Sequence, residues 1–339
     1  MVKKTKRRDK ISSTQNEKNT KKKTKINTKI KNVEICETQT PEELFNLSDV
    51  KYGDNKLYIK QKNEIIQFPI KKNIPFLYNF NKLSEGGYGH VYLIQKTHKN
   101  KKYSLIIKLP VEERDEEEEM RGIKLLKEHK VDCGIINARI MNINNFKNIT
   151  IMNKMHGDLS SIRGKLTLQN LPKLLKACVE CFQCLVSKGL GYIDIKTGNL
   201  LYYCDTKDNF TIKLGDIGSI NKLGTKAVAT YIPFEQKDDI GSNIKITESG
   251  MVFLTALMIL HIIDNKPWNE NISILFTPYL KDNTEEFIAT EINNFLYKHN
   301  LYKLYYGPLK NKTFDLLLHK MLDLDPKKRP TFQEILIEM

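Results

Sequence analysis

The 339-residue sequence has no apolar run approaching the length needed to cross a bilayer, and its N-terminus lacks the apolar core of a secretory signal peptide. An intracellular protein is therefore expected. Six cysteines are too sparse for a disulfide scaffold. Three of them, Cys178, Cys181 and Cys184, form a CxxCxxC run that superficially suggests zinc. No histidine or fourth cysteine stands nearby, and the run falls in an apolar segment that reads as a helix. On a helix Cys178 and Cys184 point about 120° apart, so all three are read as small hydrophobes packed in a core. No internal repeat is apparent.

Acidic residues are scarce in one place above all. Residues 1–32 hold thirteen Lys or Arg against only Asp9 and Glu17, a net of +11 out of +15 for the whole chain. The remainder carries about +4, ordinary for an enzyme. The basic segment is also nearly free of apolar residues, so it cannot offset its ordering entropy and is predicted to be a disordered tail. A solvated, self-repelling arm is the plain reading. A nuclear-import signal, or a docking arm for acidic partners or nucleic acid, is the alternative.

What remains, with 40 % hydrophobic residues overall, suffices for a large core. Residues 33–73 form an N-terminal extension with two strand-like runs, Lys56–Lys60 and Glu64–Phe68, able to pair as a hairpin. Further strand-like runs follow at Tyr88–Gln95, Tyr103–Leu109 and Ile149–Met152, with a charged helical stretch, Glu112–His129, between the last two. Beyond Leu168 the pattern is mostly helical: Leu171–Ser187, Glu248–Ile263, Thr284–Tyr297, Lys312–Leu322 and Thr331–Met339. A strand-rich piece followed by a helix-rich piece predicts two lobes with a ligand cleft between them.

Three groups of residues carry chemistry. Leu83-Ser84-Glu85-Gly86-Gly87-Tyr88-Gly89-His90-Val91 lies between strand-like flanks, and its glycines suit close backbone approach to phosphates. By itself it is a weak signal, more often an ordinary turn than a phosphate loop. Lys108 ends the next apolar strand, where it needs a phosphate or carboxylate partner. More specific is Asp194-Ile195-Lys196-Thr197-Gly198-Asn199, followed by Asp216-Ile217-Gly218. Carboxylate, lysine two on, asparagine five on, then a second Asp-x-Gly is a spacing rarely met by chance.

These residues resemble the eukaryotic protein kinase family. Tyr192 to Asn199 is similar to its catalytic loop, H-R-D-x-K-x-x-N, and Asp216 to Gly218 to its D-F-G. Asn153-Lys154-Met155-His156-Gly157-Asp158 resembles the hinge, with Met152 as gatekeeper. Thr230 to Glu235 resembles the A-P-E end of the activation segment, and Asp325 to Thr331 the signature whose arginine pairs with that glutamate, here Arg329 with Glu235.

The resemblance implies a bilobal α+β fold: a small antiparallel-sheet N-lobe with one helix and its hinge over 74–155, and a larger, mainly helical C-lobe over 156–339. It implies ATP and Mg²⁺ as cofactors. Asp194 would orient the substrate hydroxyl, Lys196 stabilise the transferring phosphoryl, and Lys108 hold the α- and β-phosphates. The loop Leu83 to Val91 would cover the nucleotide, Asn153 and Met155 hold adenine through their backbone, and Asp158 reach the ribose. Asn199 and Asp216 would be the metal ligands. Lys196 favours a Ser/Thr protein substrate. The Lys, Asn and Ile bias fits an AT-rich genome such as that of a large DNA virus or certain protists; the expected place of action is cytoplasm or nucleus, or a host cell or virion if the source is viral.

The sequence departs from the family pattern at named points. Ser84 stands at the first glycine. Gly122 stands where simple alignment of the first helix puts the glutamate that pairs with Lys108, and Glu119, which shares a face with Ile123 and Leu126, is the choice made here. Tyr192 and Ile193 replace the histidine and arginine of the catalytic loop, and Lys245 stands where a buried aspartate is usual. The usual threonine falls at Val228 without a gap, or at Thr230 with a shift. An active kinase is the reading these residues favour. A pseudokinase scaffold, or a kinase-like phosphotransferase acting on a small molecule, is the alternative.

Overall fold

Alternating and continuous apolar runs in the first half of the chain fold as two stacked sheets. The computed structural model describes residues 44–70, 81–86, 89–110, 113–136, 138–144, 146–205, 209–239, 244–263, 285–306 and 312–339. The basic tail at 1–32 and the loop residues Gly87 and Tyr88 lie outside the described residues.

The extension contains more than the expected hairpin. Strands β1 (Val50–Gly53), β2 (Lys56–Gln61) and β3 (Glu64–Pro69) form a three-stranded antiparallel sheet. Its extra strand was not legible because only Val50 of its four residues is buried. Asp54 and Asn55 turn the chain from β1 to β2 with φ of 49° and 57°, a left-handed pair of the kind that two-residue hairpin loops favour.

The second sheet has five antiparallel strands in the order β4-β5-β6-β8-β7: β4 (Asn81–Gly86), β5 (Gly89–His98), β6 (Lys101–Leu109), β7 (Ala138–Ile143) and β8 (Phe146–Asn153). Its outer face packs on the first sheet. Phe45, Val50, Leu57, Ile59, Ile66, Phe68 and Ile70 share one core with Ile94, Tyr103, Leu105, Ile107, Leu109, Ile143, Ile149 and Ile151. Helix α1 (Glu113–Glu128) runs between β6 and β7.

After β8 a short link leads to β9 (Gly157–Asp158) and the helical lobe. That lobe contains α2 (Leu171–Val186), α3 (Glu248–Ile263), α4 (Glu285–Lys298), α5 (Phe314–Met321) and α6 (Phe332–Glu338). Helix α3 is apolar on every side because it is the centre of the lobe, with twelve of its sixteen residues buried. Thr331 caps α6 in a reciprocal capping box with Glu334. Among the described residues no helix is long and apolar enough to cross a membrane.

Cys178 and Cys181 are buried and free, as expected of core hydrophobes. Burial pushes the Cys181 thiol up to about 12, so it stays protonated. Cys184 packs against the same core and lies beside Cys133, their Cα atoms 6.3 Å apart. It sits on the rim of α2 and faces the loop after α1, a juxtaposition that spacing along one helix cannot reveal.

Candidate active site

Strands β10 (Leu190–Tyr192), β11 (Leu200–Cys204) and β12 (Phe210–Leu214) carry the loops that hold the polar groups. β11 pairs with β12 on one side and with β9 on the other. Asp194 and Lys196 follow β10, Asn199 immediately precedes β11, and Asp216 follows β12; Asn199 joins these loops, bonding Asp194 and accepting at its backbone carbonyl from the Gly215 N–H at 2.8 Å.

Asp194 is 8 % exposed and bound on both oxygens. Oδ1 accepts from the Thr230 backbone N–H at 3.1 Å, and Oδ2 accepts from Asn199 Nδ2 at 2.9 Å. The Lys196 ammonium lies 2.6 Å from Oδ2 and donates to Thr230 Oγ1 at 3.1 Å. Burial alone would raise the Asp194 pKa, but the hydrogen bonds from Lys196 and Thr230 outweigh it and hold the carboxyl below its ordinary value. Thr230, therefore, rather than Val228, meets the Asp194–Asn199 loop; Val228 is 77 % exposed.

The lysine of β6 has its partner. Lys108 is ion-paired with Glu119 of α1, each side chain 11 % exposed, and Glu119 also accepts from the Thr150 hydroxyl on β8. The helix is thereby latched to two strands of the sheet. Gly122, one turn further on, lies against the Asp216–Gly218 segment, and Arg121 Nη2 donates to the Gly218 carbonyl at 2.7 Å. The sequence reading assigned no role to Arg121 or Gly122; the oddity of a glycine at that helical position was the one signal available.

Of the glycine loop, Ser84, Glu85 and Gly86 end β4, and Gly89 begins β5 opposite Gly86. Gly89 has φ of +155°, and a Cβ there would stand 2.7 Å from the Leu109 carbonyl oxygen and 3.2 Å from Lys108 Cε. Only glycine lets the strand pass so close to Lys108. Leu83 is half exposed, while His90 and Val91 continue β5. Val91 packs with Leu93, Ile106, Ala138, Met152 and Leu201 in a small apolar group, which Ala138 joins to the helical-lobe core. Val91 and Ile106 from the sheet approach Leu201 of β11 there, across the join between the lobes.

The link from sheet to helical lobe begins at Asn153, paired with Leu105 at the end of β8, and passes through the buried Met155. Asp158 caps the turn Leu159–Ile162, accepting from the Ser161 N–H at 3.1 Å. That bond gives its carboxylate a structural task beside any contact with a ribose.

Asp216 holds its own turn: Oδ1 accepts from the Gly218 N–H at 3.2 Å and Oδ2 from the Ser219 hydroxyl at 2.7 Å. Each oxygen keeps a second lone pair. Asn199 uses its amide nitrogen on Asp194, including the backbone carbonyl at 3.1 Å, so its amide oxygen is its remaining acceptor. A carboxylate and an amide oxygen are hard donors of the kind Mg²⁺ takes. Among the described residues no cluster of three His, Cys, Asp or Glu side chains is arranged for a metal, so a cation here would complete its shell with water or phosphate oxygens.

Tyr192 is fully buried between the two aspartates and Phe182. Burial, with the Asp216 and Asp194 charges nearby, drives its phenol pKa well up and keeps it neutral. Ile193 is buried at the position where the family carries arginine. Lys245 is exposed, in β15 (Ile244–Lys245), so no buried charge replaces the usual aspartate. Arg329 pairs with Glu235 at 2.7 Å, and its own side chain is fully buried.

An antiparallel lobe with one helix, joined to a helical lobe and bearing Lys–Glu and Asp–Lys–Asn groups at the join, defines the bilobal protein-kinase-like class of fold. A family model described as the protein kinase domain matches residues 78–338, and the chain belongs to that family. The match begins after β3, so the three-stranded sheet lies outside it. No curated protein matches the chain.

Proposed function

We propose that the chain is an active serine/threonine protein kinase that transfers the γ-phosphate of ATP to a substrate hydroxyl. The Asp194 cluster carries this reading. A carboxylate offers about four lone-pair sites, and three donors occupy this one, from Thr230, Asn199 and Lys196. Its depressed pKa keeps the group ionised and able to accept from an incoming hydroxyl.

Lys196 stands beside that carboxylate, where its charge would stabilise the phosphoryl group in flight. Lys108, held by Glu119, would orient the α- and β-phosphates, and the apolar group around Val91, Ile106 and Leu201 would take the adenine ring. Asn199 and Asp216 would hold Mg²⁺, which neutralises phosphate charge when bound. The protein's contribution is therefore positioning and fixed charge rather than covalent chemistry. Lys196 is also the feature that favours serine and threonine over tyrosine.

The test is transfer of label from radioactive ATP with Mg²⁺ to casein, beside Asp194→Asn, with phosphoamino-acid analysis. Label on serine or threonine that disappears in the variant is expected. Label on tyrosine would overturn the substrate class. No label from folded protein would leave a scaffold as the reading.

A further inference from the structure

The extension lies outside the matched kinase domain, yet it bonds directly to the link between the lobes. Asn153 ends β8, and its side chain makes a reciprocal pair with the main chain of Phe45. The Phe45 N–H donates to Asn153 Oδ1 at 3.0 Å, and Asn153 Nδ2 donates to the Phe45 carbonyl at 3.0 Å. Both residues are buried, at 7 % and 5 % exposure, so neither bond is in competition with water. One side chain thus reproduces a strand-like pairing at the point where the sheet stops.

Phe45 is itself fixed. Its ring lies 5.8 Å from that of Tyr103 on β6 and meets Phe68 of β3 edge-on at 6.1 Å. Just beyond it, Arg139 of β7 directs Nη1 at three carbonyls of the same segment: Leu47 at 3.0 Å, Ser48 at 2.9 Å and Val50 at 2.5 Å. The segment is therefore clamped by the two strands, β7 and β8, that form the edge of the sheet next to the link.

On its other side the link is anchored to the helical lobe. The His156 N–H donates to the Tyr202 carbonyl at 3.0 Å, its Nδ1 accepts from the Cys204 N–H at 3.2 Å, and β9 pairs with β11 from Gly157 onward. Only Lys154 and Met155 stand between the two anchors.

We propose that the N-terminal sheet is a working part of the nucleotide site, with Asn153 as a positioning residue that fixes the inter-lobe backbone for adenine through its bonds to Phe45. This rests on the kinase reading above. A link held at both ends presents its backbone groups in one arrangement. With the Phe45 anchor lost, that arrangement must be selected from several at each binding event, which weakens nucleotide affinity without touching the phosphoryl-transfer groups.

The full-length chain tests this. Asn153→Ala should raise the Kd for ATP, measured by calorimetry, and the KM for ATP by roughly 5- to 30-fold, the effect of losing about 1–2 kcal/mol of buried hydrogen bonding. Its kcat should stay within about twofold. A lower melting temperature with unchanged Kd and KM would make Asn153 merely structural and overturn the proposal. A measurement on the unaltered chain removes dependence on the variant's folding. Hydrogen exchange at the Phe45 amide and at the amides from Asn153 to His156 should slow together when ATP binds. Slowing in the link that leaves Phe45 unchanged would overturn the coupling. Wild-type protein that binds no ATP would instead refute the kinase reading on which the inference stands.

Discussion

Gly122 of α1 lies so close to Ile217 that a Cβ built on it would stand 2.1 Å from the Ile217 carbonyl oxygen. The helix that presents Glu119 to Lys108 therefore touches the Asp216–Gly218 segment backbone to side-chain-free backbone. Alanine is the better helix former by about 1 kcal/mol, but here its methyl group would meet a carbonyl that cannot swing away like a flexible side chain. Overpacking of this kind typically costs about 1–3 kcal/mol. Gly122→Ala should consequently lower the melting temperature and move α1 outward, loosening the Lys108–Glu119 pair. A fall in kcat/KM of about tenfold or more is expected in the labelled-ATP assay. A variant as stable and active as the wild type would show that the contact is not maintained in solution.

Arg329 ties together three distant parts of the helical lobe. Besides Glu235, it donates to the carbonyls of Ser249 at 3.1 Å and Asp323 at 2.6 Å, and its guanidinium lies 4.5 Å above the Phe253 ring. Replacing the arginine leaves these acceptors buried and the carboxylate without its charge partner. Arg329→Met should destabilise the protein by about 3–5 kcal/mol, the usual consequence of breaking a buried pair from one side. Glu235→Gln keeps an acceptor oxygen, and its side chain is 19 % exposed, so a smaller loss of about 1–2 kcal/mol is expected. Urea denaturation of both variants measures the difference.

The order of strands and helices was legible because the apolar pattern repeats along each element. The α1 register shows how far such a pattern reaches. Motif alignment put Gly122 in the glutamate position, whereas the face shared by Glu119, Ile123 and Leu126 selected the residue that meets Lys108 in the structure. Asn153 with Phe45 lies beyond that reach, because a polar pair 108 residues apart leaves no periodic trace. The same holds for Cys133 with Cys184, separated by 51. Thr230 was an open alternative to Val228 because a loop of irregular geometry does not fix its own alignment; only the hydrogen bond to Asp194 decides it.

The charge balance at Asp194 predicts a pH dependence. Its carboxyl is held below the ordinary aspartate value, chiefly because the Lys196 and Thr230 bonds overcome burial. For a depressed acid, the stabilisation is complete above the unfolded-state pKa and is lost as pH falls through the folded value. The acid limb of kcat/KM should therefore lie below the ordinary aspartate range. Lys196→Met removes the cation and leaves burial dominant, so the limb should move upward, with a loss of activity on the order of 10²-fold at neutral pH. A pH–rate profile in which the limb stays put while activity falls would separate the lysine's action on the phosphoryl group from its action on Asp194.

Ile193 and Gln236 together predict that activity does not depend on phosphorylating the segment from Asp216 to Glu235. An arginine at position 193 would be the basic partner for a phosphate, but a buried isoleucine stands there and offers none. The segment is instead pinned by its own backbone. Strand β13 (Ile220–Lys222) pairs with β10, and β14 (Lys226–Ala227) pairs with β15. The Gln236 side chain then bonds the Lys245 carbonyl at 2.9 Å and its N–H at 2.6 Å. Ser219 and Thr230 contact Asp216, Asp194 and Lys196 directly, so replacing them would impair the site whether or not they are modified. Thr225 is the informative hydroxyl: it is exposed, and its Oγ1 donates to the Lys222 carbonyl of its own turn at 2.7 Å. Phosphatase-treated wild type and Thr225→Ala should both retain near-full activity, whereas Gln236→Ala should lose about threefold or more by releasing the clip, consistent with a net hydrogen-bond contribution of about 1 kcal/mol. Activity abolished by phosphatase and restored by phosphorylation would mean that the backbone pairings do not suffice to hold the segment.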